Sequence, residues 1–202
     1  MAKISVLIEG YADLKEISGV YKHNCTVVLI ETENKKIIFD PGLDRNALLE
    51  SLEKQKLKVE DITHVFLSHN HIDHCLLMGI FPQAKVCTSV HFYNESGYGK
   101  MTPSILGTEV QIVHTPGHLE NHYCLIVVNE KKQKVLIAGD LWWWAVNEEQ
   151  KVDTISLINK EDSFGKDLDR TKKTRENIIQ KVDIVIPGHG KTFKINLKEK
   201  IL

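Results

Sequence analysis

Short apolar runs separated by polar turns dominate the chain, and most are too short to be helices. Residues 4–8 and 25–30 are apolar and rich in branched side chains, which predicts two buried strands. Between them Gly10-Tyr11-Ala12-Asp13 opens a polar stretch that reads as a loop as far as Asn24. Residues 36–39 predict a third strand, paired with the second across Glu33-Asn34-Lys35 and ended by the turn signal Asp40-Pro41-Gly42. Over residues 44–56 the period becomes helical, with Asp44 as cap and Leu48, Leu49 and Leu52 as the apolar stripe. Residues 63–67 read as another buried strand. Residues 75–80 start a helix that Phe81-Pro82 breaks, and residues 85–88 return to a strand.

Residues 91–108 contain Gly97, Gly99, Pro103 and Gly107 and predict an irregular surface loop. Strands are expected at 109–113, 123–128 and 134–138, with a turn over 129–132. Residues 141–169 are loop-rich, 171–181 are helical by pattern, and 183–186 form a last strand running into Pro187-Gly188-His189-Gly190. No repeat, low-complexity segment or linker interrupts the chain. Strands in runs, with helices between the runs, predict two sheets with helices outside in one domain over residues 1–202.

Composition narrows the function classes. The 202 residues suffice for a substantial core, and 42% hydrophobic with 26% charged residues is ordinary for a globular protein. A formal net charge of -1 provides no overall field to draw in nucleic acid or an acidic membrane. The apolar run at 4–8 meets Glu9 at once, too short for a signal peptide, and no stretch approaches the ~20 apolar residues of a membrane span. Cys25, Cys75, Cys87 and Cys124 are scattered and read as free thiols, which points to a reducing cytoplasm. Cys75 follows His74 but opens an apolar run, so packing is expected of it rather than metal ligation. The ten histidines are the compositional outlier.

Three histidines and an aspartate fall within six residues, in Ser68-His69-Asn70-His71-Ile72-Asp73-His74. Imidazole nitrogen and carboxylate oxygen are ligands for borderline divalent metals. His69 and His71 alternate, so extended backbone points both the same way. Asp73 and His74 follow at the next turn, where they could face a second metal. Three further apolar strands also end in a ligand-type residue beside glycine or proline: residues 113–117 run into His118, 135–139 into Asp140, and 185–188 into His189. Strand ends on one sheet edge can converge, and small residues let the backbone turn tightly there.

In this order the four segments resemble the metallo-β-lactamase superfamily over nearly the whole chain. His69-x-His71-x-Asp73-His74 is similar to its first motif, and His118, Asp140 and His189 to its later ligands. The resemblance implies an α/β fold, the αβ/βα four-layer sandwich, with two divalent metal ions per chain. On it, His69, His71 and His118 would hold the first ion, Asp73, His74 and His189 the second, and Asp140 would bridge them. A subgroup likeness, carried by Glu9-Gly10-Tyr11, residues 76–82, Ala138-Gly139-Asp140 and residues 183–190, implies a link to RNA processing. Asp140 stands where the zinc β-lactamases carry cysteine, which turns the expectation from antibiotics as main substrate towards at most weak β-lactam turnover. No added domain of the kind that clamps RNA is visible.

Two cations roughly 3.5–4 Å apart share a water and lower its pKa, so hydroxide is the expected nucleophile. Asp73 is the expected catalytic residue, orienting that nucleophile or accepting its proton. Histidine-rich ligation favours zinc, and the carboxylates tolerate iron or manganese. Ser68, Asp44 and Asp40 are candidate acceptors for the ligands' second ring N–H.

Weaker expectations concern the surroundings. Consecutive tryptophans cannot all face a core, so Trp142, Trp143 and Trp144 are expected to leave at least one partly exposed beside the metals, as an aromatic wall for substrate or as a lid or dimer contact. Tyr11 could serve the same wall, and His91 and His122 could touch substrate. His64 and His114 read as structural. Lys166, Arg170, Lys172, Lys173 and Arg175, mixed with Glu161, Asp162, Asp167, Asp169 and Glu176, read as a solvated helix face, with a small phosphate patch as the alternative.

The leading expectation is a dinuclear metal hydrolase of a small-molecule ester, thioester or lactone. Its rivals are a metal-dependent nuclease of RNA or single strands, opposed by the balanced charge, and a metal-dependent binding protein, opposed by the complete ligand set. No membrane partner is expected, and a homodimer is left open.

Overall fold

The computed structural model describes residues 1–88, 90–105 and 107–196. The expected domain range therefore includes residues 197–202, which lie outside the described residues, as does Leu106 within the stretch read as an irregular loop. In chain order the first half contains β1 (Lys3–Ile8), β2 (Tyr11–Ile17), β3 (Val20–Asn24), β4 (Val27–Glu31), β5 (Lys36–Phe39), helix α1 (Arg45–Lys54), β6 (His64–Phe66), helix α2 (Ile72–Cys75), β7 (Lys85–Cys87), β8 (His91–Asn94) and β9 (Gly97–Lys100). The second half contains β10 (Gln111–His114), β11 (Tyr123–Val128), β12 (Lys134–Ile137), α3 (Thr154–Asn159), α4 (Leu168–Ile179), β13 (Ile184–Ile186) and β14 (Phe193–Lys194).

Among the described residues one sheet has the order β1-β4-β5-β6-β7-β8-β9 and the other β10-β11-β12-β13-β14. The alternation of side chains along a strand explains why both sheets are apolar on both faces. In β4 and β5, Val28, Ile30, Ile37 and Phe39 enter one core, which Leu125, Val127, Val135 and Ile137 enter from the opposite sheet. Their neighbours Val27, Leu29 and Ile38 point the other way, onto Leu48 and Leu52 of α1. On the far side of the second sheet, Cys124, Ile126, Leu136 and Val185 pack on Leu157 of α3 and Ile178 and Ile179 of α4. The layers are helix, sheet, sheet, helix.

Several expectations need correction. The stretch after Gly10 is a hairpin, β2 against β3, which forms a two-stranded sheet of its own and joins neither larger sheet. Residues 91–100 form a second hairpin at the edge of the larger sheet rather than a loop. In α1 the stripe is Leu48 and Leu52, because Leu49 faces outward. The helix after the histidine cluster starts inside it, at Ile72. A helical segment, α3, interrupts the loop-rich stretch before α4. The four cysteines are free thiols, as read from their spacing.

His64 opens β6 with its side chain buried and Nδ1 2.9 Å from Thr63 Oγ1. Burial, reinforced by Lys35 and Lys85, lowers its pKa from 6.5 to about 4. The unfolded chain therefore takes up a proton that the folded chain refuses. This contribution to stability is complete above pH 6.5 and is lost as pH falls towards 4. Urea midpoints should fall across that window, and His64→Gln should show a shallower fall than wild type.

Candidate metal centre

Strand direction explains why distant residues meet. β5 and β6 run parallel, and so do β12 and β13, while β10 runs antiparallel to β11, which runs antiparallel to β12. The C-terminal ends of β5 and β6 thus share an edge of one sheet, and those of β10, β12 and β13 share an edge of the other. Asp40, His69, His118, Asp140 and His189 all follow those ends.

Two donor sets result. His69, His71, His118 and Asp140 each offer one ligand atom, all within 4.8 Å of one another, and so do Asp73, His74 and His189. Asp140 faces both. Its Oδ2 lies 3.6 Å from His118 Nε2 and 3.9 Å from His69 Nε2, and its Oδ1 lies 3.1 Å from His74 Nε2 and 3.5 Å from His189 Nε2. In the first set His118 Nε2 and His71 Nδ1 are 3.1 Å apart; in the second His189 Nε2 is 3.3 Å from Asp73 Oδ2. Gly139 turns the chain into Asp140 at φ +49°, and a Cβ on Gly188 would collide with Asp140 Oδ1. The carboxylate reaches the centre because those positions are glycine.

The outer ring nitrogens are held in place. His74 Nδ1 donates to Asp40 Oδ2 at 2.8 Å, and His69 Nδ1 donates at 2.8 Å to Ser68 Oγ, which itself donates to Asp40 Oδ2 at 2.6 Å. Asp40 also accepts from the Ser68 amide. Its backbone sits at φ +48°, a left-handed conformation that aspartate tolerates better than most residues. His118 Nδ1 donates to Asp162 Oδ2 at 2.9 Å, and His189 Nδ1 to the Tyr11 carbonyl at 3.1 Å. Asp40 together with His69 and His74 also forms a tight group. Both Asp40 oxygens are already committed to these donors, so the group orients ligands.

The inner atoms have no such partners. His69 Nε2, His74 Nε2 and Asp140 Oδ1 are buried with no hydrogen bond. Buried polar atoms are rarely left so, and a cation is the partner this donor chemistry fits. Burial, helped by the adjacent His74, holds the His69 pKa well below its usual value, and burial likewise lowers that of His71. Both stay neutral, the form that binds a metal. Burial alone would raise the Asp140 pKa, but His74 and His189 outweigh it and keep the carboxyl ionised.

A sequence model described as the metallo-beta-lactamase superfamily matches residues 20–189. The chain belongs to the metallo-β-lactamase superfamily. It is a hydrolase of that superfamily, with donor clusters able to hold divalent metal. The mouse metallo-beta-lactamase domain-containing protein 1 is 32% identical, over 95% of this chain and 84% of its own length. The fold is similar to that of a metallo-beta-lactamase-type protein from Thermotoga maritima, with a TM-score of 0.72 at 22% identity over 96% of this chain and 99% of that one. It is also similar to AidC, described as a dizinc quorum-quenching lactonase, with a TM-score of 0.64 at 18% identity over 89% and 75%.

A cavity of about 590 Å³ opens onto His71, Asp73, Asp140 and His189. Of the three tryptophans, Trp143 lines it; Trp142 and Trp144 pack in the core against Phe193, so the expected exposed tryptophan does not exist. Tyr11 contributes its carbonyl to His189, and Tyr21 of β3 takes the wall position instead. His91 lies outside the cavity, with its ring against Tyr98 in the edge hairpin. His122 is buried behind the ligands, its ring 5.3 Å from that of His69 and its Nδ1 2.8 Å from Thr115 Oγ1. His114 is held at Glu120 O.

Asp162 and Arg175 are not on a solvated face. Asp162 is buried between His118 and Trp143 Nε1, and Arg175 is buried with Nε donating to the Leu141 carbonyl. Of the proposed acceptors, Asp40 and Ser68 serve the ligands, whereas Asp44 caps α1 through the Ala47 amide. Asp40→Asn keeps a residue that tolerates the backbone but removes the charge orienting two histidines. It should weaken zinc affinity roughly 10- to 100-fold in chelator competition. Asp44→Asn should leave that affinity unchanged.

Proposed function

We propose that the chain is a dinuclear zinc hydrolase of small carbonyl substrates, namely esters, thioesters or lactones, acting in the cytoplasm. The observation that carries this reading is Asp140, buried with one oxygen towards each donor set. His69, His71 and His118 would hold one ion, Asp73, His74 and His189 the other, and Asp140 would join them. Seven donors exceed the needs of one tetrahedral ion. Free thiols fit a reducing compartment, and the likeness to a dizinc lactonase supports a carbonyl substrate.

Two cations held there would supply a water that ionises near neutral pH and a Lewis acid for charge developing on the carbonyl oxygen. The chain's own residues do the rest. Asp73 lines the cavity; burial alone would raise its pKa, but the adjacent His189 and His74 outweigh it and hold the carboxyl below its usual value, so it is ionised at neutral pH. It can take the proton of the attacking water and return it to the leaving group. Asp40, Ser68, Asp162 and the Tyr11 carbonyl fix the imidazoles, so no ring must reorient as charge develops.

Nucleic acid is the disfavoured substrate, since a nuclease must neutralise several phosphates and this chain has a net charge of -1. The metal-loaded protein should turn over at least one activated ester, thioester or lactone, and Asp73→Ala should lower that rate by roughly 10²- to 10⁴-fold. Robust RNA cleavage near physiological salt, lost in Asp73→Ala and accompanied by no acyl turnover, would overturn the reading.

A further inference from the structure

The cavity beside the donor clusters is built from three elements. The hairpin contributes Leu14 of β2 and Tyr21 of β3, α2 contributes Ile72, and the chain beyond Asp140 contributes Trp143, before α3, and Phe164, between α3 and α4. Leu14, Tyr21, Ile72 and Phe164 are each more than half exposed, an arrangement that costs solubility unless something covers it. They face one another across a space of about 590 Å³, within the range of small-molecule sites.

The charge pattern is equally selective. Among the described residues lining this space the acids are Asp13, Asp73 and Asp140, and no lysine or arginine is present. The nearby Lys160 stacks over the Trp143 ring at 5.0 Å, but its ammonium is paired with Glu148 at 2.9 Å. A substrate bearing a carboxylate or phosphate along its acyl group, away from the reacting carbonyl, would find no lysine or arginine to pair with and would meet Asp13.

We propose that this cavity holds an uncharged, apolar acyl group, and that Leu14, Tyr21 and Phe164 select it. The inference rests on the hydrolase reading above and names its substrate class. In the reaction, water oxygen bonds to the acyl carbon, the bond from that carbon to the leaving sulfur or oxygen breaks, and the proton passes to the leaving group. The product is a carboxylic acid. The hairpin is tied to the centre at its base, through the Tyr11 carbonyl on His189 and the Ala12 carbonyl on the Val146 amide, and Leu14 and Tyr21 line the cavity beyond those ties.

The test uses the metal-loaded full chain and two readouts. The first is kcat/KM on p-nitrophenyl esters from acetyl to octanoyl, with a half-ester carrying a terminal carboxylate. The second, independent of turnover, is quenching of tryptophan fluorescence by neutral alkyl amides of rising length, assigned with Trp143→Phe. The expected result is a rise in kcat/KM of about fourfold per methylene over the first steps, poor use of the half-ester, and tighter amide binding with length. Leu14→Asp should flatten both trends, and Leu49→Ser, an exposed leucine on α1, should flatten neither. Ester turnover that ignores chain length or prefers the half-ester would overturn the inference and leave the hydrolase intact. Length-dependent amide binding with no ester turnover would support the cavity chemistry and overturn the hydrolase reading. Absence of amide binding with no length dependence would overturn the inference.

Discussion

A carboxylate buried among imidazoles is costly: the effective penalty for an unpaired buried ion is several kcal/mol. Asp140 is held in that position by the structure on all sides. Gly139 supplies the left-handed turn that delivers it, and Gly188 supplies the space its oxygen occupies. Arg175 crosses from α4 to hold the Leu141 carbonyl and the Lys160 carbonyl. The same guanidinium therefore fixes the residue after Asp140 and the strand of loop that leads to Asp162. A charge so carefully immobilised, with one oxygen towards each set of unpartnered donors, is intelligible if cations complete the arrangement.

Asp40 is the second point of strain and serves the same end. A non-glycine residue in the left-handed region persists only when its surroundings over-determine it. Here the Ser68 amide, the Ser68 hydroxyl and the His74 ring all bind its carboxylate. One side chain thus orients a member of each donor set, His69 through Ser68 and His74 directly. The strained backbone at the end of β5 thus serves the geometry of both sets.

The two main sheets were legible because their strands are buried on both faces and read as continuous apolar runs, as in Val27-Val28-Leu29-Ile30. The hairpins were not. β2 and β3 form a sheet of their own, so Lys15 and Glu16 remain in water and the segment resembles a loop. In the edge hairpin Gly99 lies against the Phe92 ring and Gly97 takes the positive φ of the turn, so these glycines serve a hairpin and not a loop. The donor residues were visible because four of them crowd into residues 69–74 and the other three, His118, Asp140 and His189, each follow a strand end and a glycine. Their supports were not, because Asp162 lies 44 residues from His118 and Arg175 lies 34 from Leu141. A buried charge looks solvated in sequence when its partner comes from elsewhere. The tryptophans show the period of extended backbone: Trp142 and Trp144 share one core, and Trp143 points the opposite way, beside the donors.

The central proposal is that Asp140 joins two metal ions, and the most direct measurement is metal stoichiometry by elemental analysis of protein saturated with zinc and freed of excess. The account predicts two equivalents per chain in the wild type and a loss of metal in Asp140→Ala. A wild-type chain that saturates at one equivalent, or an Asp140→Ala variant that retains two, would contradict it.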